Sequence, residues 1–206
     1  VEVIGDRVRV DLRHRAFLAA QDAGYPLITD PLKLERGDIA PAFKAAENRI
    51  KGRIAIGGAS AGANLAVAAA LSTDVPLAGM VLFYGVYGDD FETESYRRHE
   101  NGPGLTRARM RELFAMYDPT GTRDPLIAPL KADLRGLPPA LLIAAEVDVL
   151  LSENRVMAEA LRSAGVAVTW HEEPGVTHGF INRGRLVPAA EACITRAARF
   201  LKETLT

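Results

Sequence analysis

The chain has 206 residues, 48% hydrophobic and 25% charged, with 25 Lys and Arg set against 26 Asp and Glu for a formal net charge of -1. That composition belongs to one ordinary globular domain able to bury a core without staples, and it offers no electrostatic footprint for nucleic acid or an anionic membrane. The lone cysteine, Cys193, excludes an intramolecular disulfide and a zinc site built on cysteine pairs, and it fits a reducing compartment.

No stretch approaches the ~20 continuous apolar residues of a membrane span. The opening VEVIGDRVRV carries charges where a signal peptide needs its apolar centre. The expectation is a cytoplasmic protein acting on a small, roughly neutral molecule, with no nucleic-acid or membrane partner.

Taken in chain order, periodicity predicts a helix over Leu12–Ala23, a strand at Pro26–Thr29 and a helix over Pro41–Arg49. A strand at Arg53–Gly57 then runs into a helix over Ala61–Leu71, and a further strand covers Leu77–Tyr84. The stretch RRHENGPGL, Arg97 to Leu105, reads as a loop, and Thr106–Tyr117 as a helix with Met110, Leu113, Phe114 and Tyr117 on one face. Because these follow a strand end, residues 88–125 read as a lid inserted into a single domain spanning 1–206.

Next come a strand at Ala140–Ala145 and a helix over Ser152–Ala164, with Ser152 as its cap. That helix has an apolar stripe of Val156, Met157, Ala160, Leu161 and Ala164, and Gly165 ends it. A strand at Val166–Trp170 and a helix over Pro188–Thr204 complete the chain, with Pro188 suited to a first turn. Cys193 falls on the apolar side of that last helix with Ala190, Ile194, Ala197 and Leu201, so it reads as a small buried side chain. Strand-helix alternation implies an α/β fold whose mostly parallel sheet has helices on both faces.

GGASAGANL, residues 57–65, sits between a predicted strand and a predicted helix. Gly58-Ala59-Ser60-Ala61-Gly62 fits Gly-x-Ser-x-Gly, the turn that strains a serine backbone and projects its hydroxyl above a sheet. Taken alone, the five residues are weak evidence, since small residues cluster in many glycine-rich turns. If Ser60 is a nucleophile, the amide of Ala61 at the helix start points at a developing oxyanion.

An acid and a base follow in the required order. Asp148 comes after the strand ALLIAAE, and His178 stands in PGVTHGF after the strand VAVTW. Ser, acid, His is the chain order of α/β-hydrolases: His178 would take the proton of Ser60, and Asp148 would orient the imidazole. Asp148 also reads as a residue that opens the helix after it. Glu146 is a rival acid but falls within the strand end; His14 reads as part of a polar helical face, His99 as part of the loop before the lid helix, and His171 as the end of a strand run directly before two glutamates. Tyr84, at another strand end, lines an acyl pocket or is a core aromatic.

GGASAGANLAVAAAL, AEVDVLLSENRVMAEALRSAGVAV and PGVTHGF resemble the corresponding segments of the hormone-sensitive-lipase-like esterases. LFYGVYGDDFETESYRRHENGPGLTRARMRELFAMY is similar to the bacterial acetyl esterases of that group. The likeness runs from about Ile54 to Leu201 and implies Ser60, Asp148 and His178 as nucleophile, acid and base, with Ala61 as an oxyanion donor. It implies a serine carboxylesterase for short acyl esters, without cofactor or metal.

There are departures from that family. Ala59 stands where an acidic residue is usual, Ala63 replaces a glycine, and TDPLKLERGDIAP matches only loosely a tyrosine-containing stretch. VIGD, Val3 to Asp6, resembles the segment directly after the family's His-Gly-Gly-Gly oxyanion motif, so the expectation is a chain that represents a longer protein from that point onward.

A ligand-binding protein that reuses the fold is the competing class, supported by that missing motif alone. A dinucleotide-binding turn lacks the Gly-x-Gly-x-x-Gly spacing, a P-loop lacks Gly-Lys-Ser/Thr, and no His-Glu-x-x-His suggests a metallohydrolase. An open sheet lacking its first strands exposes an edge, so a homo-oligomer is a further expectation.

Overall fold

The structure, a computed structural model, describes residues 2–4, 7–11, 53–122 and 124–205. The expected helices at 12–23 and 41–49, the strand at 26–29 and His14 lie outside those residues. Among the described residues six strands form one sheet in sequential order: β1 (Glu2–Ile4), β2 (Arg7–Asp11), β3 (Ile54–Ala59), β4 (Leu77–Phe83), β5 (Ala140–Val147) and β6 (Val168–Thr177). β1 and β2 pair antiparallel, and every pairing from β2 to β6 is parallel. The reading by periodicity passed over β1 and β2, although Arg7, Val8, Arg9 and Val10 alternate as a strand does.

Five α-helices accompany the sheet among the described residues: α1 (Ala61–Ser72), α2 (Glu94–Arg98), α3 (Arg107–Tyr117), α4 (Leu151–Ser163) and α5 (Pro188–Leu205). The middle strands show why they are apolar on both sides. Met80 and Leu82 of β4 and Leu142 of β5 join Ala63, Ala66 and Val67 of α1 and Met157 and Leu161 of α4 in one core. Their alternate neighbours, Val81, Phe83, Leu141 and Ile143, form a second core with Ala190, Cys193 and Ala197 of α5. A strand buried on both faces has no polar face to alternate with. No helix among the described residues is long and apolar enough to cross a membrane.

Several sequence expectations need correcting. Ser152 does not cap α4: Leu150 holds that position, and Ser152 lies inside the helix. The apolar stripe of α4 is rotated, because Val156 is 54% exposed while Leu151, Met157, Ala158 and Leu161 are buried together with Glu153 and Asn154. Ile194 of α5 is likewise 48% exposed. Arg97 and Arg98 belong to the short helix α2, so the loop before α3 begins two residues later than expected.

The strand expected at Val166–Trp170 starts at Val168 and runs on to Thr177, through a register shift opposite Ala145 and Val147 of β5. The Gly175 amide donates to the Glu146 carboxylate at that irregularity, 2.7 Å away. Residues 88–125, between β4 and β5, carry α2 and α3.

Candidate active site

Parallel pairing brings four strand ends to one edge. Ala59 is in register with Phe83, Phe83 with Ile143, and Val147 with Thr177. The residues that follow those ends are Ser60, Tyr84, Asp148 and His178, and the carboxyl ends of parallel strands are where open α/β sheets keep their sites. Ser60 donates its amide to the Phe83 carbonyl at 2.9 Å and Tyr84 to the Ile143 carbonyl at 2.7 Å, so the main chain fixes both at the sheet's rim.

The turn at Ser60 is strained in the way its sequence pattern implies. Ser60 has φ 57° and ψ -124°, a conformation that non-glycine residues seldom adopt. A Cβ on Gly58 would stand 2.1 Å from the Gly62 carbonyl oxygen, so only glycine lets β3 turn this sharply into α1. The Ala63 and Asn64 amides donate back to the Ser60 carbonyl at 2.9 and 3.3 Å. The Ala61 amide, at the first helical position, is among those a helix leaves without an internal acceptor.

Ser60, His178 and Asp148 stand in a hydrogen-bonded line. His178 Nε2 lies 2.9 Å from Ser60 Oγ, and His178 Nδ1 lies 2.7 Å from Asp148 Oδ2. The Asp148 side chain is 1% exposed and that of His178 14%. The other Asp148 oxygen, Oδ1, accepts the Leu150 amide at 3.1 Å, so the helix-opening reading of this residue holds alongside its contact with histidine. Such a line can move a proton from the hydroxyl to Nε2 while the carboxylate fixes Nδ1 as the donor.

Tyr84 packs its ring against that of His178 with centroids 4.9 Å apart, and against Phe180 at 5.6 Å. At 1% exposure and with φ 36°, it supports the imidazole from within the core. His99 ends α2, and His171 lies mid-strand in β6, neither in contact with this line.

His171, Glu173 and Cys193 hold three donor atoms within 4.8 Å of one another. His171 Nε2 is 2.7 Å from Glu173 Oε2, and the Cys193 thiol donates to the same oxygen at 3.2 Å. Burial, then Glu173, pushes the thiol up to about 12, and burial also raises Glu173 until the hydrogen bonds from His171 and Cys193 outweigh it and bring it below the usual carboxylate range.

A polar seam behind the line escaped the sequence reading. Three consecutive residues in the first turn of α4 each hold a different stretch after β4. Ser152 and Ser95 exchange amide-to-hydroxyl hydrogen bonds at 3.0 Å each, Glu153 accepts the Tyr87 amide at 2.7 Å, and Asn154 accepts from Gly85 at 3.0 Å while donating to its carbonyl at 2.8 Å. Asn64 of α1 plays the same part opposite, donating to the Val86 and Ile127 carbonyls at 2.9 and 2.8 Å and accepting from the Tyr117 hydroxyl at 3.1 Å. The one signal in the sequence was polar residues on otherwise apolar helix faces.

This arrangement of sheet, turn and hydrogen-bonded line defines an α/β hydrolase, and the chain belongs to that family: the model of the alpha/beta hydrolase fold matches residues 20–182. It is a hormone-sensitive-lipase-like member. An esterase of the bacterial hormone-sensitive lipase family superposes with a TM-score of 0.83 at 26% identity, over 98% of this chain and 78% of that one. A thermostable esterase from Pseudomonas putida ECU1011 gives 0.70 at 34% identity, over 80% and 56%.

Among curated relatives, the carboxylesterase NlhH of Mycobacterium tuberculosis is 38% identical over 163 residues, 74% of this chain and 51% of that protein. The carboxylic ester hydrolase LipN of the same organism is 36% identical over 151 residues, 65% of this chain and 39% of that protein. The chain spans about half the length of the first of these relatives and less of the second.

Proposed function

We propose that this chain carries the reacting centre of a serine carboxylic-ester hydrolase, with Ser60 as nucleophile, His178 as general base and acid, and Asp148 as the residue that orients and stabilises the imidazole. The observation that carries the reading is Ser60 Oγ lying 2.9 Å from His178 Nε2, with the imidazole held in turn by the buried Asp148. Its relatives' names agree with ester hydrolysis.

Ser60 Oγ attacks the acyl carbon as His178 Nε2 takes its proton, and the Ala61 amide donates to the oxyanion that forms. The C–O bond to the alcohol then breaks, the alcohol leaving with the proton from Nε2. Water, deprotonated by the same nitrogen, attacks the acyl-Ser60 ester, and collapse of the second tetrahedral intermediate releases the acid and returns the proton to Oγ. Tyr84 backs the imidazole through these proton transfers. We further propose short acyl groups, acetyl foremost, as substrates, on the likeness of residues 82–117 to acetyl esterases; residues 88–125 would serve as a lid.

The test is hydrolysis of p-nitrophenyl acetate, butanoate and octanoate by the full-length protein beside Ser60→Ala, together with fluorophosphonate labelling. Turnover that is greatest with acetate and lost by roughly 10⁴-fold or more in Ser60→Ala is expected. Well-folded protein that hydrolyses none of the esters and leaves Ser60 unlabelled would point to the ligand-binding class instead.

A further inference from the structure

Glu153 is a carboxyl that neither the fold nor this reaction explains. It is 3% exposed, although the first turn of a helix ordinarily presents such a side chain to solvent. Its Oε1 accepts the Tyr87 amide, the Gly88 amide also donates to it, and its Oε2 is buried, with the Tyr96 hydroxyl against the carboxyl. The ionisable groups that act on it are Tyr87 and Asp90 in the segment after β4, Tyr96 on α2 and Asp148 in the turn before α4. None of these, among the described residues, is a cation.

A carboxylate in that position would share a low-dielectric interior with the charge of Asp148. Burial pushes the Glu153 carboxyl up to about 8, against the pull of the two amides and with the help of Asp148 and Asp90. Through Tyr87 and Gly88 it holds the segment that leaves Tyr84, and the Tyr84 ring backs His178. Its neighbour Asn154 bonds the same segment at Gly85, and Ser152 bonds Ser95 further along on α2.

We infer that Glu153 is a positioning residue for the Ser60, His178 and Asp148 chemistry, on which this inference rests: as the neutral acid it docks residues 85–88 against α4 and keeps a second negative charge away from Asp148. Losing its proton places that charge beside Asp148, favours imidazolium over the neutral base His178 must be, and loosens the support behind Tyr84. Turnover then falls as the proton leaves.

The test is a pH titration of the isotope-labelled full-length protein by NMR, from about pH 6 to about pH 10, following the Tyr87 and Gly88 amides and the His178 ring, beside ester turnover. We expect the two amides to move with one inflection near pH 8, the His178 signals to share it, and turnover to fall through the same interval. In Glu153→Gln, which keeps an oxygen for the Tyr87 amide, the shared inflection vanishes and turnover stays level across that interval.

A residue that only filled space would leave the pH profile of Glu153→Gln like that of the parent, and that result overturns the inference. So do amides that show no inflection, and so does measurable turnover that holds level while they titrate. His178 following the amide inflection supports the inference even in a chain that hydrolyses no ester, an outcome that would sink the reaction and not the buried acid.

Discussion

Strands β4 and β5 and the first turn of α4 are buried to nearly the same depth by opposite means. Met80, Leu82, Leu141 and Leu142 are wholly buried among other apolar side chains. Glu153 and Asn154, 3% and 1% exposed, are held by hydrogen bonds to particular backbone groups. Apolar burial is non-directional and tolerates exchange of shape for shape, whereas a buried polar group needs its own partner at its own angle. The strands thus give the molecule stability, and the seam fixes where the segment after β4 lies against the site.

Five changes test that division. Asp148→Asn carries the largest expected effect: it keeps the shape but takes the charge and acceptor from His178 Nδ1, so kcat should fall by roughly 10⁴-fold. Steady-state kinetics with p-nitrophenyl acetate will read it, and a loss of tenfold or less would place the imidazole's support elsewhere, in Tyr84 or the seam.

Glu153→Gln comes next, through its effect on stability against pH. The native carboxyl titrates near 8 and the unfolded one near its ordinary 4.5, so the folded state holds the extra proton between those values. Stability from this group is therefore full below the lower value and is lost as pH rises toward the upper one, by at most about 5 kcal/mol. Urea unfolding at pH values on either side of that interval should show the decline in the parent protein and a flatter curve in the variant.

Asn154→Ala should cost roughly 2–3 kcal/mol, because it leaves the Gly85 amide and carbonyl buried without their partner. Replacing Leu142 with Met, by contrast, conserves volume in the apolar region and should cost under ~1.5 kcal/mol. Equal losses in chemical denaturation would erase the distinction between the two regions.

The smallest effect is expected from Arg155→Ala. Arg155 sits beside the seam on the outer face of α4 and pairs with Glu172 at 2.7 Å, but its side chain is 51% exposed. Exposed pairs contribute ~0–1 kcal/mol and are screened by salt. A thermal midpoint that drops by more than a few degrees would show that the seam extends to this surface.

Much of the site was legible in the sequence because its parts are local. A glycine two residues before Ser60 is needed where a Cβ would strike the Gly62 carbonyl, and that constraint spans only a few residues of chain. The middle strands announced themselves as apolar runs because both of their faces are covered. The boundaries of β6 were not legible past Trp170, since Pro174 and Gly175 read as loop residues until the register shift against β5 accommodates them.

The sequence by itself determined the alternation of strand and helix, the sharp turn at Ser60, and the order serine, acid, histidine, all of which follow from short-range pattern and chain sequence. Only the tertiary structure decided that Asp148 divides its two oxygens between His178 and the turn opening α4, that Tyr84 backs the imidazole, and that Glu153 and Asn154 face inward. Those outcomes depend on groups 30, 94, 66 and 69 positions apart. A helix's own periodicity cannot say which of its faces will meet a polar partner until the sheet has brought that partner there.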